Sequence, residues 1–452
     1  MSTNVKLSKL KSAKKVAVLA ISTAIASGFF HSSAQAAGFQ LIENSARGQG
    51  NAFAGAAATA NDASTVWFNP AGMTKLKNKQ VSVAGHVIVP DASFTNNGST
   101  DGSGNPLNGA NDDGGRTALV GNLYWVTDVG ETKFGLGITT PFGLTTEYDD
   151  TWVGRYLAVK TDMKTINFNP SIAREVTDKL SIGGGINILL ADITITNAVD
   201  FGSLLGDPQN RDGFAKLEAD NLTFNEFSWG VNLGLTYDFT NDTRLGLAWR
   251  SEIVISVAGK ADFSVPANAA PVLGSGAFQD TNIKGRVTLP QSFSMSLKQD
   301  ISDVTLLADI TWTGWSSFDE LRIQYENPFQ PDSVTTQSWD DTFRYSLGAD
   351  YKVNNTLTLR SGIAYDETPV PSAQRRTPRI PGNDRTWLSF GLTYVMSPAI
   401  IMDFGYSHLF ISDANINNTF ESGQPALEAT INGTYEASVD IFSAQLTWNY
   451  DL

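Results

Sequence analysis

Between residues 442 and 452 this chain alternates strictly: Phe442, Ala444, Leu446, Trp448, Tyr450 and Leu452 are separated by Ser443, Gln445, Thr447, Asn449 and Asp451. A period of two puts the apolar side chains on one face of a β-strand and the polar ones on the other. The opposite end of the chain indicates the compartment. Lys6, Lys9, Lys11, Lys14 and Lys15 precede the apolar run 16–30, and Ala34-Gln35-Ala36 follows it. This is the layout of a secretory signal with a small-residue cleavage site, which places the mature start at Ala37. An exported chain that ends on an amphipathic, aromatic-rich strand points to a β-barrel of the Gram-negative outer membrane.

Composition agrees. Hydrophobic residues make up 41% of the 452 and the mean hydropathy is −0.14. No run after the signal approaches the ~20 apolar residues a spanning helix needs. A barrel strand shows lipid only every second residue, so it can be polar on average and still span. With no cysteine in the chain, disulfides, thiolate metal sites and cysteine nucleophiles are excluded. The net charge is −14, and loss of the five signal lysines leaves 27 basic against 46 acidic side chains, or −19. Such a balance argues against a nucleic-acid partner.

Beyond Lys79 the sequence falls into about fourteen alternating segments, an even number as single-chain bacterial barrels require. Long stretches rich in Gly, Asn, Asp and Pro (91–115, 149–162, 196–227, 257–283, 326–340, 368–384 and 413–435) alternate with tight turns near 128–132, 177–179, 240–243, 300–303, 354–356 and 397–399. Long extracellular loops and short periplasmic turns produce that asymmetry, whereas a soluble β-sandwich has no reason to sort its loops by parity. Charges follow the same logic. Arg244, Arg250 and Glu252 share one parity and Leu245, Leu247, Trp249 and Ile253 the other, and Arg344 and Asp350 oppose Phe343, Tyr345 and Leu347. A charge facing lipid costs ~2–4 kcal/mol at the midplane, so the charged parity is expected to face the lumen.

Residues 37–79 do not alternate. Ala-rich 52–60 favours a short helix, and Asn69-Pro70 reads as a helix start, with Asn69 accepting from orphan amides and Pro70 at the first helical position. Lacking an apolar stripe, this segment cannot lie in lipid. A lumen of about fourteen strands is too wide for side chains alone to fill, which favours a plug. The expected domains are a signal at 1–36, a plug at 37–79 and a barrel at 80–452.

Several motifs, in order, resemble the FadL-type outer-membrane long-chain fatty-acid transporters, a family that also includes aromatic-hydrocarbon channels. They are Ala37-Gly38-Phe39-Gln40-Leu41, Asn61-Asp62-Ala63-Ser64, Asn69-Pro70-Ala71, the stretch Pro141-Phe142-Gly143-Leu144-Thr145-Thr146-Glu147-Tyr148, and Trp312-Thr313-Gly314-Trp315. Tyr365-Asp366-Glu367-Thr368-Pro369-Val370-Pro371 follows, then Arg379-Ile380-Pro381 and Asp384-Arg385-Thr386-Trp387. The resemblance implies an all-β, fourteen-stranded barrel with a mainly helical N-terminal hatch. It also implies a route: capture of a hydrophobic ligand among extracellular loops, transfer to a hatch-gated interior pocket, and sideways exit at a kink in the third strand. Pro141 and Gly143 give that kink a local cause, since proline removes a ladder donor and glycine weakens a strand; an ordinary rim bulge is the alternative. Phe39, the family-matched residue near that opening, and Phe142 are candidate ligand-binding positions, and Pro141, Gly143, Asn69 and Pro70 are the candidate gate and kink positions.

A fatty-acid carboxylate in a dry lumen needs a cation. Arg322 lies opposite in parity to Leu321, Ile323 and Tyr325, is expected to point inward, and aligns with a basic family position associated with the head group; a wall role paired with a lumen acid competes. A second such position is replaced around Ile195. Phe201, Leu205, Val272 and Phe278 make the loops 196–227 and 257–283 unusually apolar, as a capture groove or as self-packed loops. The histidines after the signal, His86 and His408, lie in no recognisable catalytic setting, and no metal or cofactor is expected. The expected partners are a long-chain fatty acid or another hydrophobic small molecule, outer-membrane lipid and the barrel-assembly machinery. Rival readings are a neutral-hydrocarbon channel, a general porin and a structural barrel.

Overall fold

The computed structural model describes residues 38–222 and 227–450. The signal, Ala37 and Leu452 lie outside them. Fourteen antiparallel strands form the wall, several in two pieces. They are β1 (Gln80–Asn96), β2 (Ala118–Val129), β3 (Thr132–Thr139 and Gly143–Glu147), β4 (Lys160–Glu175), β5 (Leu180–Asp200), β6 (Asp212–Asp220 and Ser228–Asp238) and β7 (Thr243–Arg250 and Ile253–Ser264). The second half comprises β8 (Thr281–Leu289 and Ser292–Ile301), β9 (Val304–Thr313 and Glu320–Tyr325), β10 (Ser333–Thr336 and Thr342–Lys352), β11 (Leu357–Asp366), β12 (Arg385–Ser397), β13 (Ile400–Ile411 and Ala414–Thr419) and β14 (Thr430–Asn449). β14 pairs with β1 from Gln80↔Asn449 to Asn96↔Gly433, which closes the barrel and removes its edges. Among the described residues no helix is long and apolar enough to cross a membrane.

Short turns and long connections alternate as expected, but the strands reach further into the long connections than the sequence indicated. β5 continues to Asp200, and β6 restarts at Asp212. These upper extensions still alternate, with apolar residues inward and polar residues outward.

In the lower half the parity argument holds. Arg250 stacks 3.6 Å over the ring of Trp67, and Arg344 donates to Ala52 O at 2.9 Å. The outward row Trp249–Phe293–Trp312–Phe343 is aligned strand to strand, as in an interfacial aromatic girdle. Glu252 and Ile253 break the pattern. Glu252 is exposed and Ile253 is buried in the interior cluster, because the gap between the two pieces of β7 reverses which parity faces inward.

The N-terminal segment lies within the ring of strands. It comprises three one-turn helices, α1 (Ala46–Gln49), α2 (Ala56–Thr59) and α3 (Thr65–Phe68), and a 3-10 turn at Pro70–Lys75, so it is a chain of single turns rather than continuous helix. Arg47 grips Asp403 through Nε at 2.8 Å and Nη2 at 3.0 Å, and Asn51 reaches Asp350 at 3.1 Å. Asn69 is the cap predicted for Pro70. Its Oδ1 accepts from Ala71 N at 3.1 Å, and its Nδ2 donates to Ala57 O at 2.7 Å, Leu235 O at 3.0 Å and Leu247 O at 3.3 Å. That one side chain ties the segment to β6 and β7.

Candidate functional site

Above the N-terminal segment the lumen changes character. Leu144, Met163, Ile193, Ile195, Leu217, Phe263, Val287, Phe318, Leu321, Ile323 and Tyr325 line a cavity of about 150 Å3 under the extracellular loops. These residues come from β3 to β9, Thr335, Ile380 and Phe420 add later parts of the chain, and the floor is Phe39. That ring lies within an aromatic cage, with centroids 5.0 Å from Trp315, 5.4 Å from Phe318, and 5.9 Å from both Phe142 and Trp339. Gly38, at φ +67°, allows the approach: a Cβ there would lie 2.6 Å from Trp315 and 2.8 Å from Trp339.

Phe39 also begins a strap across a break in the wall. The β2–β3 ladder runs from Val129↔Thr132 to Leu123↔Ile138 and stops; above it, Gly143–Glu147 of β3 is laddered to β4, and Glu147 N donates to Gly114 O of the β1–β2 connection at 3.2 Å. Between Thr139↔Asn167 and Gly143↔Lys164, β3 carries one residue more than β4, and Thr165 Oγ1 accepts from Phe142 N at 3.1 Å while donating to its carbonyl at 2.6 Å. Residues 39–44 lie across the gap. On one side Leu41 N donates to Pro141 O at 2.8 Å and Gly143 N to Phe39 O at 3.0 Å. On the other, Asn122 Nδ2 donates to Glu43 O at 2.9 Å and Tyr124 OH to Asn44 O at 2.8 Å. Pro141 and Gly143 therefore flank a true interruption of the ladder.

The cation at the cavity is not the expected one. Leu321, Ile323 and Tyr325 line the lumen, so Arg322 points out of the barrel, where it holds Glu320 at 2.6 Å and Asp332 at 3.3 Å. The expectation that Arg322 faces inward is corrected for a physical reason. The rule that charges face the lumen holds where lipid covers the outside. Above the girdle the outside is polar and the inside is dry, so the rule reverses.

Arg379 takes the inward place instead. It lies in the connection between β11 and β12, which folds back into the barrel mouth, and it lines the cavity. Its guanidinium donates to Lys160 O at 3.0 Å, Thr161 Oγ1 at 2.9 Å and Thr196 O at 3.3 Å, using only part of its fork of donors. Among the described residues no carboxylate comes within ion-pair distance of it, and burial pushes the guanidinium down to about 10. Thr161 is the register partner of Ile195, so the charge of Arg379 stands beside Ile195. In the sequence Arg379 stands out only as part of the motif Arg379-Ile380-Pro381, with no ligand role attached to it. Its signal was an arginine between two prolines, Pro378 and Pro381, with no acidic residue nearer than Asp384.

The loop residues divide. Phe278 lines the cavity, 5.0 Å from Phe201 and 5.8 Å from Phe263. Phe201, Leu205 and Val272 instead pack with Ala269, Ala277 and Leu427 into a loop core. These three therefore roof the cavity, and the expected open groove is corrected to a self-packed cap.

Comparison with known proteins places this architecture. The long-chain fatty acid transport protein of Escherichia coli O6:H1 is 33% identical over 88% of this chain and 90% of its own. Of solved structures, a Pseudomonas aeruginosa FadL homologue superposes with a TM-score of 0.83 at 24% identity, covering 91% of this chain and 99% of that one. The Ralstonia pickettii toluene transporter TbuX gives 0.63 at 19%, covering 90% and 99%, and these two likenesses concern the fold. With residues 28–450 matching its profile, the chain belongs to the outer membrane protein transport protein family (OMPP1/FadL/TodX) and is a β-barrel of the Gram-negative outer membrane.

Proposed function

We propose that this protein carries long-chain fatty acids passively across the outer membrane, with residues 37–79 as a hatch and residues 80–452 as the barrel. The observation that carries this reading is Arg379: a desolvated cation with no carboxylate in ion-pair distance among the described residues, set in a largely apolar cavity. An isolated buried charge is costly, and a ligand carboxylate on it would make a charge-assisted hydrogen bond. The acyl chain would lie along Ile195, Leu217, Val287 and Ile323. The loop roof around Phe201, Leu205, Val272 and Phe278 admits it, and Phe39 floors the pocket. Exit follows displacement of the 39–44 strap from Pro141 and Gly143, which opens the β2–β3 gap to lipid. Outer-membrane lipid and the barrel-assembly machinery complete the set of partners.

The second reading is a channel for neutral hydrocarbons, favoured by the cage around Phe39, a site shaped for a single aromatic ring. Binding of oleate, methyl oleate and toluene to the purified protein separates the two. Saturable oleate binding stronger than that of its methyl ester supports fatty-acid uptake. Equal binding of acid and ester, or binding of toluene alone, supports the hydrocarbon channel.

A further inference from the structure

The outer wall carries a second feature, independent of what the lumen transports. The β8–β9 ladder is interrupted between Ser292↔Thr313 and Arg286↔Arg322, where the turn Trp315–Ser317 swings Trp315 inward. Outside, the interruption leaves a recess of about 760 Å3, with Lys284, Arg286, Arg322, Thr288 and Ser317 on its walls. Arg286 and Arg322 are directly opposed across the two strands. Like charges in that relation destabilise a sheet. Arg322 is offset by Glu320 and Asp332, and Lys284 stands 3.8 Å from Glu326. Arg286 is exposed, and among the described residues it has neither an ion pair nor a side-chain hydrogen bond. Asp319 and Glu320 also line the recess, and of its three cations Arg286 is the one with no carboxylate within 4.0 Å among the described residues. The Oγ of Ser317 has no hydrogen-bond partner.

Height identifies the occupant. The recess opens on the side of the wall that bears the girdle Trp249–Phe293–Trp312–Phe343. Arg286 lies seven residues beyond Phe293, or roughly 16–19 Å above the girdle at ~3.3 Å per residue and a strand tilt of ~35–45°. Phospholipid headgroups occupy only about 5–8 Å beyond the hydrocarbon on each side. An anion that reaches Arg286 while anchored in the outer leaflet must sit on an extended saccharide. We propose that the Arg286–Arg322 recess binds the phosphate or carboxylate groups on the core sugars of an outer-leaflet glycolipid.

The test is native mass spectrometry of purified mature protein in detergent. It compares a rough-type glycolipid bearing a phosphorylated, carboxylated inner core with phosphatidylglycerol and with inorganic phosphate. Wild type is expected to retain one glycolipid, and Arg286→Glu to retain it about tenfold more weakly. Arg174→Glu, an exposed charge reversal near the periplasmic turns, should bind as wild type does. Because Arg286 is exposed, its substitution leaves the barrel folded, checked by heat-modifiable migration. Equal retention by wild type and Arg286→Glu overturns the proposal. So does full displacement of the glycolipid by phosphatidylglycerol or by millimolar inorganic phosphate, which would make the recess a general anion site.

Discussion

Replacing Arg379 by methionine keeps an unbranched apolar stem at that position and removes the charge. In the folded protein Arg379 spends three hydrogen bonds on Lys160 O, Thr161 Oγ1 and Thr196 O and, among the described residues, has no carboxylate within ion-pair distance. A hydrogen bond from such a group to a ligand carboxylate contributes about 1.5–3 kcal/mol. At ~1.4 kcal/mol per tenfold, Arg379→Met should weaken oleate binding roughly 10- to 150-fold. Methyl oleate and toluene, which present no anion, should change little. Titration calorimetry or tryptophan quenching gives the affinities, with heat-modifiable migration as the check on folding. The pH profile provides a second readout. Arg379 titrates at about 10, below its ordinary value, so its charge is present beneath that pH and lost as pH rises through it. The ligand carboxyl ionises near ~4–5. The advantage of oleate over its ester should therefore persist from about pH 5 to 9, collapse through pH 10, and be absent in Arg379→Met at every pH. Unchanged oleate affinity, or equal losses for acid and ester, would refute the assignment of Arg379 to the carboxylate.

Three other outcomes follow from the same geometry. A disulfide joining Gln40→Cys and Phe142→Cys, an antiparallel bridge pair in a chain with no other cysteine, should block fatty-acid uptake relative to the same variant reduced, with reduction restoring uptake; uptake unaffected by oxidation rules out exit at this gap. Asn69→Ala removes a helix cap, at a cost of about 0.5–2 kcal/mol, and leaves buried carbonyls without a donor. Asn69→Asp should be worse, because it sets a carboxylate against Ala57 O, Leu235 O and Leu247 O, and an equal or smaller loss of thermal stability than in the alanine variant contradicts this. Gly246→Ala pushes a methyl group into Ala57 O, an overpacking that costs ~1–3 kcal/mol; the loosened hatch should raise single-channel conductance in planar bilayers, and a wild-type conductance with wild-type melting would show that the segment is not seated there.

The sequence by itself determined what repeats. Alternation and loop parity yielded a fourteen-strand barrel, and the lumen-facing charges Arg244, Arg250, Arg344 and Asp350 were legible because the cost of charge in lipid leaves one choice of face. Asn69-Pro70 was legible for a local reason, since a cap and its proline are neighbours in sequence. What the sequence left open was decided above the girdle. There lipid no longer sets the inner and outer faces, and breaks at residues 251–252 and 314–319 shift the strands against one another. Arg322 was placed inward by a rule that had already lapsed at its height, while Arg379, in a connection without periodicity, came to the cavity only because that connection folds back against Thr161 and Thr196. Which arginine faces the ligand is a property of the closed barrel, because long-range closure brings residues 160, 196 and 379 together and no pattern along the chain records their distance.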